Sequence, residues 1–132
     1  MYSLGNKMES KKILFVDDQS MICNLGKIVL ESVGYKVETA SNGKEGFDAY
    51  HKMQKESSLP DIVVTDFNMP EANGEYLIDQ IRAVNKDQKI ILACSQDNDL
   101  VKGLLSRYNL SGILAKPYRN SQLIKKIEEV LR

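Results

Sequence analysis

The stretch IVVTDFNMP (62–70) decides the fold. Ile62, Val63 and Val64 are β-branched, Thr65 extends the run, and the chain then changes character at Asp66, Asn68 and Pro70. A strand that is apolar along its length is covered on both faces, as strands of parallel sheets are, whereas a half-solvated antiparallel strand alternates. Asp66 therefore stands at the carboxyl tip of an interior strand, where the chain leaves the core.

Outward from this point the same signal recurs. KILFV (12–16), YKVETA (35–40), DIVVTD (61–66), KIILAC (89–94) and SGILA (111–115) are short apolar runs, each followed by a helical pattern. That rhythm predicts repeated βα units, a parallel sheet and an α/β fold of five strands and five helices. Helical spacing marks Ile22, Leu25, Val29 and Val33 as the inward stripe of the first helix. It marks Leu77, Ile78 and Ile81 in the third, Leu100, Val101, Leu104 and Leu105 in the fourth, and Leu123, Ile127, Val130 and Leu131 in the fifth. Gly34 stops the first helix, SNG (41–43) separates strand 2 from helix 2, and SSLP (57–60) precedes strand 3. The second helix, GKEGFDAYHKM, is the weakest, because each of the two glycines in its first turn costs ~1 kcal/mol against alanine. Residues 1–10 are polar and aperiodic, which predicts a flexible tail with a second possible start at Met8, and 11–132 form one domain. The sequence stops directly after the fifth helix, so no second domain is expected within it.

Composition narrows the function classes. The 132 residues carry 42% hydrophobic and 27% charged side chains, with 18 basic residues against 18 acidic ones. Without a dominant field, nucleic acid and anionic membranes are not expected partners. The apolar runs are too short to span a bilayer, and MYSLGNKMES (1–10) lacks the features of a signal peptide, which points to the cytoplasm. Cys23 and Cys94 lie within apolar patterns without metal-ligand spacing and read as reduced core thiols. The single histidine, His51, reads as a solvated helix residue and excludes an imidazole cluster. The expected state is a monomer or weak dimer.

The acids carry the chemistry. In the flavodoxin-like strand order 2-1-3-4-5, the ligand crevice opens at the carboxyl ends of strands 1 and 3, where the winding reverses. Strand 1 ends in Asp17 and Asp18, strand 3 in Asp66, and three carboxylates meeting there would take up protons unless a cation shared the site. Mg²⁺ suits such a site, since it accepts a few carboxylates and leaves positions for phosphate oxygens. Lys116, just beyond strand 5, comes from the other side of the rim. A carboxylate nucleophile, a hard metal and an ammonium group suit phosphoryl transfer, with Asp66 becoming an acyl phosphate. Simpler readings exist: Asp17-Asp18 as a turn and helix cap, Asp66 as the start of a turn closed by Pro70 and Gly74, Gly74 as a device for starting the third helix, and Lys116 as a solvated lysine. None of them explains why all three acids fall on the switch-point strands.

VDDQ (16–19), VVTDFNMPEANG (63–74) and AKPY (115–118) occur in this order on strands 1, 3 and 5. With them the chain resembles the receiver domain of two-component response regulators over residues 11–132. The resemblance implies that Asp17, Asp18, Asp66 and the backbone carbonyl of Asn68 hold Mg²⁺, that Asp66 is the phosphoacceptor, and that Lys116 contacts the phosphoryl group. It also implies a cis Lys116-Pro117 bond. Two positions depart from the family pattern. Where the family ends strand 4 in Thr or Ser, either Cys94 fills the hydroxyl slot with Ser95 beside it, or Ser95 takes the slot over, and a thiol is the poorer hydrogen-bond partner. Three residues before the lysine the family often carries an aromatic switch, and here stands Ile113. Tyr118 does not replace it, since it matches the aromatic that follows the Lys-Pro pair.

The function so implied is a single-domain receiver that takes a phosphoryl group from a histidine kinase or phosphotransfer protein. It signals to an output protein through the face of helix 4, strand 5 and helix 5, about residues 97–131. It is not an enzyme for an external substrate, and Asn68 and Gln96 tune hydrolysis of its own acyl phosphate. The alternative is a receiver-like interaction module that works without phosphorylation, its switch weakened at Cys94 and Ile113. An aspartyl phosphatase resembling haloacid dehalogenases would place a DxD nucleophile after strand 1 and add a cap domain, where this chain has adjacent Asp17-Asp18.

Overall fold

A computed structural model describes residues 10–69, 72–95 and 99–132, with the side chain of Leu100 left out. The expected tail lies almost wholly outside the described residues, as do Pro70 and Gln96. Ten elements alternate: β1 (Lys12–Val16), α1 (Ser20–Ser32), β2 (Lys36–Ala40), α2 (Gly43–Lys55), β3 (Ile62–Asp66), α3 (Gly74–Val84), β4 (Ile90–Cys94), α4 (Asp99–Arg107), β5 (Gly112–Ala115) and α5 (Asn120–Leu131). All sheet pairings are parallel, in the order β2-β1-β3-β4-β5. The flavodoxin-like doubly wound fold expected from the sequence is the fold observed.

Side-chain alternation along the strands builds two apolar layers. Leu14, Val16, Val63, Ile90 and Leu92 pack with Tyr50, Met53, Leu77, Ile78, Ile81 and Leu104, so α2, α3 and α4 cover one face. Ile13, Phe15, Ile62, Val64, Ile91 and Leu114 pack with Cys23, Leu30, Leu123 and Ile127, so α1 and α5 cover the other. Every residue of β3 and β4 is buried, as their uninterrupted apolar runs require. The outer strands β2 and β5 are only partly covered, which matches their mixed sequences.

Two local expectations change. In α1 the buried stripe is Cys23, Gly26 and Leu30. Leu25 and Val33, expected inward, are 48% and 50% exposed, while Ile22 and Val29 sit half-buried at the flanks. Gly26 decides the rotation: a Cβ there would lie 3.0 Å from the Phe15 ring, so this residue lets the helix close on β1. In α4, Val101 and Leu104 point inward, but Leu105 is 36% exposed. The weak second helix runs for 13 residues. Its Asn42 cap accepts from Glu45 N (2.9 Å), and Glu45 returns by accepting from Ser41 Oγ (2.6 Å). Both of its glycines are buried at close approaches to neighbouring elements, so the cost in helix propensity is met by packing. Gly34, at φ +103, ends α1 in the left-handed conformation expected of it.

Candidate functional site

The sheet pairing dictates where the acids go. Val16 pairs with Ala40 on one side and Thr65 on the other, so the tips of β1 and β3 are neighbours, and Asp17 and Asp66 leave the sheet side by side. Asp17 is held by its own backbone: its N donates to Ala40 O (3.1 Å), and its Oδ1 accepts from Gln19 N (2.9 Å). Gln19, rather than either acid, is the N-cap of α1, and it makes no side-chain cap bond. The carboxylates are therefore not spent on capping that helix. On the other strand Phe67 N donates to Ala93 O (2.9 Å), which continues the β3–β4 ladder past Asp66.

Carboxylate oxygens of Asp17, Asp18 and Asp66 lie within 4.8 Å of one another, with Asp17 and Asp66 buried and Asp18 exposed. Lys116 enters from the end of β5, its N donating to Cys94 O (2.8 Å). Its Nζ lies 3.1 Å from Asp66 Oδ2 and 3.3 Å from Asp17 Oδ2. The structure thus brings together four residues from three distant stretches of the sequence, and it gives Lys116 two ion-pair partners in place of solvent. The Lys116-Pro117 bond is cis.

Burial pushes the Asp66 carboxyl above its ordinary range; Lys116 opposes the shift, and the negative fields of Asp17 and Asp18 reinforce it. Burial also disfavours the Lys116 ammonium, yet its bonds to Asp66 and Asp17 outweigh that cost and raise its pKa. The crevice holds more negative charge than one ammonium matches, and its donors are hard oxygens. That set fits a divalent cation of the Mg²⁺ type.

The other site residues are less convergent. Cys94 is buried at the last position of β4, on the α4 side by strand alternation, and pairs with Ala115. Ser95 is exposed and instead lines a cleft of about 390 Å³ with Lys116, Pro117 and Tyr118 on one wall and Gln19, Ile22 and Leu25 of the α1 end on the other. Asn68 follows on the exposed loop beyond Asp66. Ile113 is half-buried against the α2–α4 layer.

Three neighbours shape the surroundings of the acids. Cys23 donates from Sγ to Asp17 O (3.1 Å), beneath the site, and burial raises its thiol pKa. The Tyr118 hydroxyl is pushed strongly upward, by burial first and then by the fields of Asp17 and Asp66, so it borders the acids as a neutral group. Gly74 donates its N to Phe67 O (2.9 Å), and a Cβ on it would collide with the Asp66 carbonyl oxygen and lie 2.9 Å from Phe67 Cα. Asn73, whose Oδ1 accepts from Tyr76 N (2.9 Å), caps α3, and Gly74 closes the loop under the acid.

A five-stranded parallel sheet with acids gathered at its switch point defines a doubly wound α/β domain whose ligand crevice is acidic. The chain belongs to the response regulator receiver domain family, whose model matches residues 13–128. It is similar to the chemotaxis protein CheY of Thermotoga maritima, with 27% identity over 121 residues, 91% of this chain and 97% of that protein. It is also similar to a CpxR-homologous transcriptional regulatory protein of Haemophilus influenzae, with 34% identity over 92% of this chain and 50% of that protein. The chain thus spans nearly all of the chemotaxis relative and about half of the transcriptional one. Among solved structures, chemotaxis protein CheY4 of Vibrio cholerae superposes with a TM-score of 0.82 at 29% identity, covering 93% of this chain and all of that one. Among the described residues no helix is long and apolar enough to cross a membrane.

Proposed function

We propose that this receiver accepts a phosphoryl group on Asp66 from a histidine kinase or phosphotransfer protein in the cytoplasm, and signals by binding an output protein. The observation that supports it is the meeting of buried Asp66 with Asp17, Asp18 and Lys116 at one strand tip. An Asp66 carboxylate oxygen attacks the donor phosphorus; the new P–O bond forms as the P–N bond to the donor imidazole breaks, its electron pair staying on that nitrogen, and the ring, already protonated on its other nitrogen, leaves as neutral imidazole. Asp17, Asp18, Asp66 and the Asn68 carbonyl would hold Mg²⁺, which supplies positive charge to the phosphoryl oxygens. Lys116 exchanges its carboxylate contacts for a phosphoryl oxygen. The test is an intact-mass spectrum after incubation with acetyl phosphate: a magnesium-dependent phosphoryl adduct supports the proposal, and no adduct with any phosphodonor or kinase favours the phosphorylation-independent module.

The donor's docking face follows from the exposed side of α1. Met21, Leu25 and Ile28 are 82%, 48% and 66% exposed, at helical spacing, beside the cleft that leads to Lys116. A carrier whose imidazole reaches Asp66 must cover this rim, and an apolar helix face there would bury these three side chains. Ile28→Lys is expected to slow phosphotransfer from the cognate kinase at least about tenfold, by placing a charge in a desolvated contact. Labelling by acetyl phosphate, which needs no docking, stays at the native rate; equal loss with both donors would place the defect in the site itself.

The output face lies across α4, β5 and α5, described from residue 99 onward. Two departures bear on how phosphorylation reaches it. With Cys94 on the α4 side of the strand tip, Cys94→Thr offers the phosphoryl group a stronger donor, worth ~1.5 kcal/mol or roughly tenfold in the switched population. The readout is the amide NMR shifts of α4 on phosphorylation. An unchanged response, with Ser95→Ala damaging instead, assigns the slot to Ser95. At position 113 there is no ring to rotate, so switching runs through backbone and aliphatic packing around Ile113.

A further inference from the structure

Asn68, whose carbonyl is a proposed metal ligand, lies on the segment that follows β3. Its near end is fixed by Gly74 N donating to Phe67 O (2.9 Å). Its far end is held from outside: Gly43 N, at the first residue of α2, donates to Ala72 O at 2.7 Å. The approach is close enough that a Cβ on Gly43 would lie 2.7 Å from both Ala72 O and Asn73 O, against backbone that cannot rotate away as a side chain would. The α2 end that makes this contact is itself anchored by hydrogen bonds: Asn42 caps it, and Glu45 accepts from Ser41 Oγ. Gly43 touches none of the three acids among the contacts described here, yet it fixes one end of the loop that bears a proposed ligand.

We infer that Gly43 is a positioning residue for the metal site: its hydrogen bond to Ala72 and its missing side chain hold the β3–α3 loop where the Asn68 carbonyl can join the Asp17, Asp18 and Asp66 carboxylates around Mg²⁺. This rests on the metal reading above. The second glycine of the helix makes the control. A Cβ on Gly46 would meet only side chains, Leu77 Cδ2 at 3.1 Å and Val16 Cγ2 at 3.3 Å, so that position packs α2 onto the core without touching the loop.

Magnesium affinity of the unphosphorylated protein separates positioning from mere folding. Followed by amide NMR, Gly43→Ala is expected to weaken Mg²⁺ binding about tenfold or more, the usual effect of losing a residue that orients a ligand. Gly46→Ala is expected to lower Tm while keeping native affinity. In the native chain the Gly43 amide should shift with the same midpoint as the amides of Asp17 and Asp18, and this holds the test even if Gly43→Ala does not fold. Native affinity in Gly43→Ala, equal weakening in Gly46→Ala, or a Gly43 amide unmoved by Mg²⁺ would each overturn the positioning role while leaving the metal site standing. A native chain that takes up no Mg²⁺ at all would overturn the metal reading and the role together.

Discussion

Asp66→Asn protein, incubated with acetyl phosphate and Mg²⁺, is expected to keep its unmodified mass while the native chain gains one phosphoryl group. Asn preserves the shape of the side chain, and Asp66 is only 5% exposed, so the packing at the tip of β3 needs little adjustment. What changes is the chemistry: an amide oxygen does not form the acyl phosphate at a useful rate, and the loss is expected to be complete within detection. Lys116 keeps Asp17 as a partner in the variant. Near-native unfolding beside absent labelling would therefore locate the reaction at Asp66. Persistent labelling would move the acceptor elsewhere and remove the main support of the proposed function.

The second large effect is on stability. Lys116→Met leaves Asp17 and Asp66, 2% and 5% exposed, facing each other without the ammonium that bridges them. Breaking a fully buried pair from one side costs ~3–5 kcal/mol. Solvent reaches 23% of the Lys116 side chain and screens its charge, so about 2 kcal/mol is expected here. The measurement is urea unfolding at neutral pH, where a lower midpoint with unchanged slope reports a loss of stability alone. Two rescues should follow from the same electrostatics. Mg²⁺ should stabilise the variant more than the native chain, and Asp66→Asn added to Lys116→Met should recover much of the loss. A variant as stable as the native chain would show that the acids tolerate each other without a cation.

β3 and β4 are directly legible, because residues 62–64 and 90–93 are continuously apolar, as strands buried on both faces are, and the acids at the tips follow from strand ends alone. Helix rotation was harder. In SMICNLGKIVLES, apolar side chains occupy more than one stripe, and spacing favoured Ile22, Leu25, Val29 and Val33. The inward stripe is set by a contact across the interface, Gly26 against the Phe15 ring, which no local pattern records. The glycines of α2 mislead for the same reason: their intrinsic cost is visible in the sequence, while the backbone and side chains they allow to approach come from β1, from α3 and from the loop before α3. Tyr118 and Cys23 gain their positions near Asp17 through the layer in which α1 and α5 pack together. Ser95 on the cleft wall and Cys94 beneath α4 show that two adjacent residues at a strand end part company.

The strand order has a consequence for the chain as it is being made. β1 pairs with β2 soon after both emerge, but its other neighbour, β3, arrives only with residues 62–66. The lysine that bridges the two buried acids follows Asp17 by 99 positions, just beyond β5. Until β3, β4 and β5 have followed, the growing sheet therefore exposes an unfinished edge and its acidic tips stay hydrated. Any fragment released before residue 116 lacks the bridging charge and much of the covering layer, so truncated products of this gene should be poor substrates for phosphorylation and ready targets for proteolysis.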